Sequence, residues 1–345
     1  MGGRPVSSND RSISSHKRLL VCGLGSIGRR HVRTIHQHFH DIDISAYRSG
    51  KGPDFPEYSL ICHQFYELEE AILWKPDAAI ISSPAPFHQE QALSFARANI
   101  PVLIEKPLGI ATDSIECWDE LMDLSTTTPV VVGYVLRHDP CAEYVKKKLD
   151  SNGVGKILEA DFYCGSWLPD WRSNIDYRQC VSSQHSKGGG ALMELSHEID
   201  LALWFLGDFQ INYCTLRQSG LLDIDVEDQV LLVGSGKNCS QITIRLNFCS
   251  KPPRRDVVLR CEKGEIHWDL INSKVMLSID DEEATIYNPL LHPDDRFRVQ
   301  AERFMDTVYN SAPPYCSLND GLAVMKLISQ AHYRANHAAS HSRFS

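Results

Sequence analysis

Over the first third of the chain, short apolar runs alternate with longer stretches of helical periodicity. RLLVCG (18–23) predicts a buried strand, SIGRRHVRTIHQHF (26–39) a helix and IDISAY (42–47) a second strand. DAAIISS, PVLIEKP and PVVVGY follow as further strands, spaced by the helical segments HQEQALSFARAN and SIECWDELMDLS. Strands separated by helices pair in parallel, so this part predicts a doubly wound sheet. After Tyr134 the pattern changes. A helix (PCAEYVKKKLDSN) leads to the strand KILEADFYCG, a polar aromatic loop and an apolar helix. INYCTLR, DQVLLVGSG, SQITIRLNFC, RDVVLRCEKGEIHWDL and KVMLSI then succeed one another with short links, which predicts an antiparallel sheet. Two helical segments close the chain. The fold class expected is α/β: an N-terminal doubly wound parallel sheet, then an α+β domain with a large, mainly antiparallel open sheet. The expected division is a flexible tail at 1–17, a first domain at 18–136 and a second at 137–345.

Between the first strand and the first helix stands Gly23-Leu24-Gly25-Ser26-Ile27-Gly28. In a Rossmann domain the first glycine allows the tight turn, the second admits a pyrophosphate, and the third lets helix and strand pack closely. The N–H groups at the helix start, from Ser26 and Ile27 onward, are free to hold phosphate. An NAD-specific site places a carboxylate at the end of the second strand, yet here that strand ends Ala46-Tyr47-Arg48-Ser49-Gly50-Lys51. Arg48 offers a guanidinium to adenine and to a 2′-phosphate, with Ser49 and Lys51 as further donors. NADP(H) is therefore preferred over NAD(H) as the expected cofactor; a plain solvated basic turn is the competing reading.

Composition narrows the class. A chain of 345 residues with 43% hydrophobic and 23% charged residues is globular and long enough for two domains. A net charge of −9 speaks against nucleic acid or an anionic membrane as a standing partner. No run approaches the ~18 apolar residues of a membrane span, and the first 17 residues lack the apolar core of a secretory signal. Eleven cysteines without a C-x-x-C pair read as buried thiols in a reducing cytoplasm rather than as a disulfide framework. His31, His36, His38 and His40 suggest a metal, but His36 and His38 point to different helix faces and no cysteine or carboxylate completes a tetrahedral set. A surface helix end, without metal, is the expectation there.

Taken together, GLGSIG, SSPAPFH, EKPLG and GGG-x₃-E-x-x-H-x-x-D resemble the glucose–fructose oxidoreductase/inositol dehydrogenase (Gfo/Idh/MocA) family over nearly the whole chain. The resemblance implies nicotinamide-dependent chemistry on a sugar, cyclitol or related polyol. It implies a cofactor contact surface that includes Ser83, Pro84, His88, Glu105 and Lys106. It also implies an open C-terminal sheet that serves as a subunit interface, giving a homodimer or homotetramer.

Oxidising a secondary alcohol requires a base at the hydroxyl and a cation beside the developing alkoxide. Lys106, at the end of a buried strand, suits the cation. Glu194 and His197 stand three residues apart on the apolar helix after Gly188-Gly189-Gly190, with Asp200 one step further. Three glycines there allow close approach to nicotinamide or substrate. The family's acid lies four residues before the histidine, a position held here by Met193; counted from the glycines, Glu194 takes its place. His197 is the preferred base, Glu194 the alternative, and a structural Glu–His–Asp network the bland reading. The loop Trp167–Arg178 is rich in aromatics and charges, and Trp167, Trp171, Arg172 and Tyr177, with Arg137, are candidate substrate contacts or else part of a dimer surface. This stretch resembles a branch of the family linked to surface-polysaccharide and nonulosonic sugar synthesis. The competing functions are a glycoside hydrolase that oxidises its substrate transiently and a cofactor sensor without catalysis.

Overall fold

Continuous apolar runs bury on both faces, and the first sheet is built from them. In chain order come β1 (Lys17–Cys22), α1 (Ser26–His38), β2 (Ile42–Tyr47), β3 (His63–Phe65) and α2 (Leu68–Leu73). β4 (Ala78–Ile81), α3 (His88–Arg97), β5 (Val102–Glu105), α4 (Ile115–Leu124) and β6 (Val130–Gly133) complete the unit. The six strands lie in the order β3-β2-β1-β4-β5-β6, all parallel. Strand order reverses between β1 and β4, which places the ligand crevice at their carboxyl ends. β3 has no apolar run, since His63 and Gln64 are exposed at the sheet edge, and the hydrophobic pattern does not reveal it. This computed structural model describes residues 17–50, 55–110, 113–172, 175–280, 284–290, 292 and 294–341. The expected tail lies outside them except for Lys17, as does Lys51.

The second half begins with α5 (Pro140–Asp150), whose first turn is capped by Asp139 accepting from the Cys141 N–H at 2.7 Å. β7 (Ile157–Gly165), α6 (Ala191–Glu194), α7 (His197–Leu206), β8 (Phe209–Arg217), β9 (Gln229–Gly236) and β10 (Gln241–Asn247) follow. Then come β11 (Arg254–Cys261), β12 (Gly264–Asp269), β13 (Lys274–Ile279), β14 (Thr285–Tyr287), α8 (Asp295–Asn310) and α9 (Leu318–His341). Eight strands form one sheet in the order β14-β13-β12-β11-β7-β10-β9-β8. Its pairs are antiparallel except β7 with β10, because β7 enters the middle of the sheet before the meander is laid down on either side. The sheet is thus mainly antiparallel, as its short links predict.

The two sheets do not have separate cores. Leu19, Val21, Ile44 and Ile80 on one face of the first sheet pack with Val32 and Ile35 of α1 and with Ala301, Phe304 and Met305 of α8. Fully burying a side chain of this size stabilises by roughly 1.5–3 kcal/mol. The opposite face, with Leu20, Ile81 and Ile104, packs on Ala92 and Phe95 of α3 and joins a cluster that runs on into the second sheet. The end of the chain therefore closes the first sheet. All eleven cysteines are free thiols and eight are buried, so none staples these layers. Among the described residues no helix is long and apolar enough to cross a membrane.

Candidate active site

At the switch point the three glycines of the first turn meet different surroundings. A Cβ on Gly28 would lie 1.9 Å from the Gly23 carbonyl oxygen, so this glycine is required by the packing of α1 on β1. A Cβ on Gly25 would meet nothing within 4 Å. That open space, beside the unpaired N–H groups at the start of α1, fits the pyrophosphate of a dinucleotide. Ser26 is exposed there and Ile27 half-buried. The Ser83 hydroxyl donates to Gln91 Oε1 at 2.8 Å, and Pro84 stands exposed in the turn after β4. His88 is not available as a ligand contact, because its ring is buried and set against the Pro107 and Ser83 carbonyls at 2.9 and 2.7 Å. A neutral imidazole donates to one of them at a time. It ties the loop after β4 to the loop after β5. At the end of β2, Arg48 lies over the Tyr58 ring at 4.5 Å and its Nη1 donates to Gln64 at 3.3 Å. Ser49 is exposed beside it, and no carboxylate occurs in Tyr47–Gly50.

The next strand end carries Glu105 and Lys106. Glu105 does not face the crevice: Oε1 lies 2.7 Å from His31 Nε2, and Oε2 accepts the Lys106 N–H at 3.2 Å. His31 is 1% exposed, which corrects the expectation of a solvent-facing histidine on α1. The pair joins α1 to the backbone of Lys106. Lys106 Nζ then reaches across to the second half, donating to the Glu194 carbonyl at 2.9 Å and to Glu194 Oε1 at 3.1 Å. Lys106 holds the Glu194 carboxyl below its ordinary range, with help from Ser182 and Arg172.

Glu194 and His197 do not share one continuous helix. α6 ends at Glu194 and α7 starts at His197, and at the break the Glu194 carbonyl, which would accept from residue 198 in an unbroken helix, accepts from Lys106. His197 lies edge-on to Tyr134 at 5.6 Å, and its Nδ1 is buried with no partner among the described residues. Burial, reinforced by Arg255, Lys106 and Arg296, pushes its pKa well below 6.5. The carboxylate's ion-pair partner is thus Lys106, not the imidazole. Asp200 stands apart, buried against Arg137 Nε and Nη2 at 2.7–3.1 Å, so no Glu–His–Asp network forms. Burial raises the Asp200 carboxyl to about 6 even with Arg137 beside it. Arg137 is 2% exposed and also reaches Asp320 at 3.3 Å, which removes it from the expected substrate contacts.

Glu194 and His197 open on a cavity of about 370 Å³ that Trp171, Ser166, Arg255 and Ile271 help to line. Trp171 is fixed by its Nε1, which donates to Ser166 Oγ at 2.7 Å. An adjoining cleft is lined by Trp171, Arg172 and Tyr177, the Tyr177 hydroxyl accepting the Asp223 N–H at 3.2 Å. Trp167 lies elsewhere, under Lys251 Nζ at 4.4 Å. Gly189 and Gly190 are needed by the protein itself: added Cβ atoms would strike the Val181 carbonyl and the Glu227 carboxylate at 2.3 and 2.4 Å. The expected close approach of these glycines is to chain, not ligand. Arg255 and Ser166 escaped the sequence reading; two arginines after Lys-Pro-Pro at a strand start were the signal for the first. A larger groove of about 890 Å³ between β8 and α9 holds none of these groups.

Residues 17–135 match the family described as "Oxidoreductase family, NAD-binding Rossmann fold", and residues 142–267 match the "GFO/IDH/MocA C-terminal domain". The chain belongs to the Gfo/Idh/MocA oxidoreductase family. Inositol 2-dehydrogenase 2 of Saccharopolyspora erythraea is 28% identical over 229 residues, which are 63% of this chain and 62% of that relative. The match therefore spans less than two thirds of that protein. Inositol 2-dehydrogenase of Salmonella typhimurium is 22% identical over 321 residues, 85% of this chain and 86% of the relative. Among solved structures, levoglucosan dehydrogenase in complex with NADH and levoglucosan superposes with a TM-score of 0.79 at 15% identity, covering 93% of this chain and 97% of its own. UDP-N-acetylglucosamine 3-dehydrogenase of Acidithiobacillus ferrooxidans gives 0.72 at 19%, covering 92% and 96%. The Gfo/Idh/MocA fold thus extends over nearly the whole chain.

Proposed function

We propose that the protein is an NAD(P)-dependent oxidoreductase acting on a secondary hydroxyl or ketone of a sugar, cyclitol or sugar derivative. The observation that carries this is that Glu194 and His197, from different elements, line one cavity, and that Lys106, which follows β5 of the parallel sheet, pairs with Glu194 there. Residues 18–136 supply the cofactor side and residues 137–345 the substrate and assembly side, in a cytoplasmic homo-oligomer. Gly25 and the start of α1 take the pyrophosphate. Arg48, with no carboxylate near it in the strand end, favours NADP(H) over NAD(H). A bound nicotinamide supplies the hydride acceptor in oxidation and the donor in reduction. Lys106, held by Glu194, offers its ammonium to the oxygen that gains negative charge. His197, kept neutral by its surroundings, takes the hydroxyl proton in oxidation and returns it in reduction. Trp171 and Tyr177 give the sugar ring apolar faces.

Cofactor titration and hydride transfer against a panel of sugars and cyclitols test the reading. Lys106→Ala is expected to slow turnover by ~10²–10³ while leaving cofactor affinity within a few-fold. Near-normal turnover in that variant overturns the assignment. NADP(H) is expected to bind more tightly than NAD(H), and Arg48→Ala to narrow the gap by roughly tenfold to a hundredfold; tighter NAD(H) binding by the wild type reverses the preference.

A further inference from the structure

Arg254 and Arg255 open β11, and consecutive strand residues point to opposite faces. Arg254, which also borders the cavity of Glu194 and His197, gives its guanidinium to Asp256 at 2.6 and 2.8 Å. Arg255 turns inward. Its Nε donates to Oε1 of Glu198 at 2.6 Å, while its Nη2 is buried and has no hydrogen-bond partner among the described residues. The same side chain lines the cavity of Glu194 and His197. On the adjoining wall Arg172 follows Trp171, is exposed, and acts on Glu194 through its charge without forming a salt bridge among the described residues.

The charges around the cavity do not balance. Lys106 pairs with Glu194, Arg255 with Glu198 and Arg254 with Asp256, which leaves Arg172, on the wall of the adjoining cleft, as the positive charge without a salt bridge among the described residues. His197 adds no negative charge. A buried guanidinium N–H without an acceptor is costly, and an unpaired cation on the adjoining wall adds to the attraction for an incoming anion. The excess is one charge. A carboxylate supplies that, whereas a phosphate monoester brings about 1.5–2 negative charges at neutral pH and overshoots.

We propose that the substrate is a sugar acid whose carboxylate is bound by Arg255 from the β11 wall, with Arg172 contributing from the Trp171 side. The proposal rests on the reading of this site as a sugar oxidoreductase, and the test separates the two. The cofactor-loaded protein is offered matched sets of hexose, its uronic acid and its 6-phosphate in the gluco, galacto and manno series. Binding is read by thermal shift and calorimetry, and hydride transfer by reduced-cofactor absorbance. The uronic acid should be favoured over its neutral hexose by about tenfold to a hundredfold in at least one series, the value of a charge-assisted contact. Arg255→Met should collapse that preference toward one. Arg172→Met, on an exposed loop where folding is not at stake, should reduce it by a smaller factor. Equal use of hexose and acid overturns the proposal and leaves the sugar reading intact; a preferred 6-phosphate overturns the carboxylate assignment. Cofactor binding without any response to all three kinds overturns the sugar reading, and this proposal falls with it.

Discussion

His197 enters the site as a neutral ring. Its pKa is pushed well below 6.5, first by burial and then by Arg255, Lys106 and Arg296. A group that must accept a proton is lost to catalysis only when pH falls through its pKa, so a depressed value moves the acid limb of kcat/KM downward. The expected profile is flat from about pH 7.5 to below the ordinary imidazole value of ~6.5. His197→Asn should keep cofactor binding and slow hydride transfer by ~10²–10⁴. Glu194, held low by Lys106, stays ionised across this range, and Glu194→Gln should act through the placement of Lys106. An acid limb at pH 6.5 or above in the wild type, or a fast His197→Asn beside an inactive Glu194→Gln, would hand the proton to the carboxylate. At this scale the sequence shows which residue types the chemistry needs, but not whom they touch. His31 illustrates the loss. The buried stripe Gly28, His31, Val32 and Ile35 on α1 has helical spacing, which is a legible signal that His31 faces inward. Its partner Glu105 is 74 residues away, and nothing local points to it.

At the scale of elements the hydrophobic period did most of the work, and it fails where a helix breaks at a long-range contact. The run after Gly190 reads as one apolar helix, yet it is two, and at the break Lys106, 88 residues away in the chain, engages the Glu194 carbonyl. The glycine turn, by contrast, is legible in both position and purpose, and its three glycines can be separated by experiment. Gly25 has φ −67° and ψ −170°, a conformation open to any residue, with free space around its missing Cβ. Gly25→Ala should therefore fold with stability within about 0.5 kcal/mol of the wild type, as surface substitutions do, while cofactor affinity falls tenfold or more because the methyl group occupies the approach path. Gly28→Ala should do the opposite first: its methyl group meets the Gly23 carbonyl, and overpacking of this kind costs about 1–3 kcal/mol or more. Chemical denaturation beside calorimetric titration of each variant checks the contrast. Equal loss of stability in both would mean that the space beside Gly25 is not what the turn preserves.

For the whole molecule, the sequence predicts two sheets but not that α8, near the end of the chain, completes the core of the first. The helix has an ordinary amphipathic pattern, and such a pattern says that a face is buried without saying against what. The second sheet keeps one face uncovered. Across its middle run the register neighbours Val233, Thr243, Asp161, Val258, His267 and Met276, all half-buried, while the alternate residues Leu232, Ile244, Phe162 and Leu259 are buried on the helical side. An antiparallel sheet tolerates one wet face, and here Val233, Val258 and Met276, with Leu231 nearby, alternate with Thr243, Asp161 and His267 inside a border that includes Arg245, Arg260 and Glu265. Half-buried valines and a methionine mixed with polar groups are compatible with a subunit interface, which is as polar overall as the rest of a protein surface. If a two-fold partner lays the same face on this one, Val233, Val258 and Met276 would be covered. The wild type is expected to sediment as a dimer or tetramer at micromolar concentration. Val233→Asp would place an unpaired carboxylate in the contact and should shift the species to monomer at the same concentration. Because that side chain is half-exposed in a single chain, the monomer should stay folded, with its circular dichroism and cofactor binding retained. A wild-type chain that sediments as a monomer, or a Val233→Asp variant that assembles as before, would remove this face from the interface.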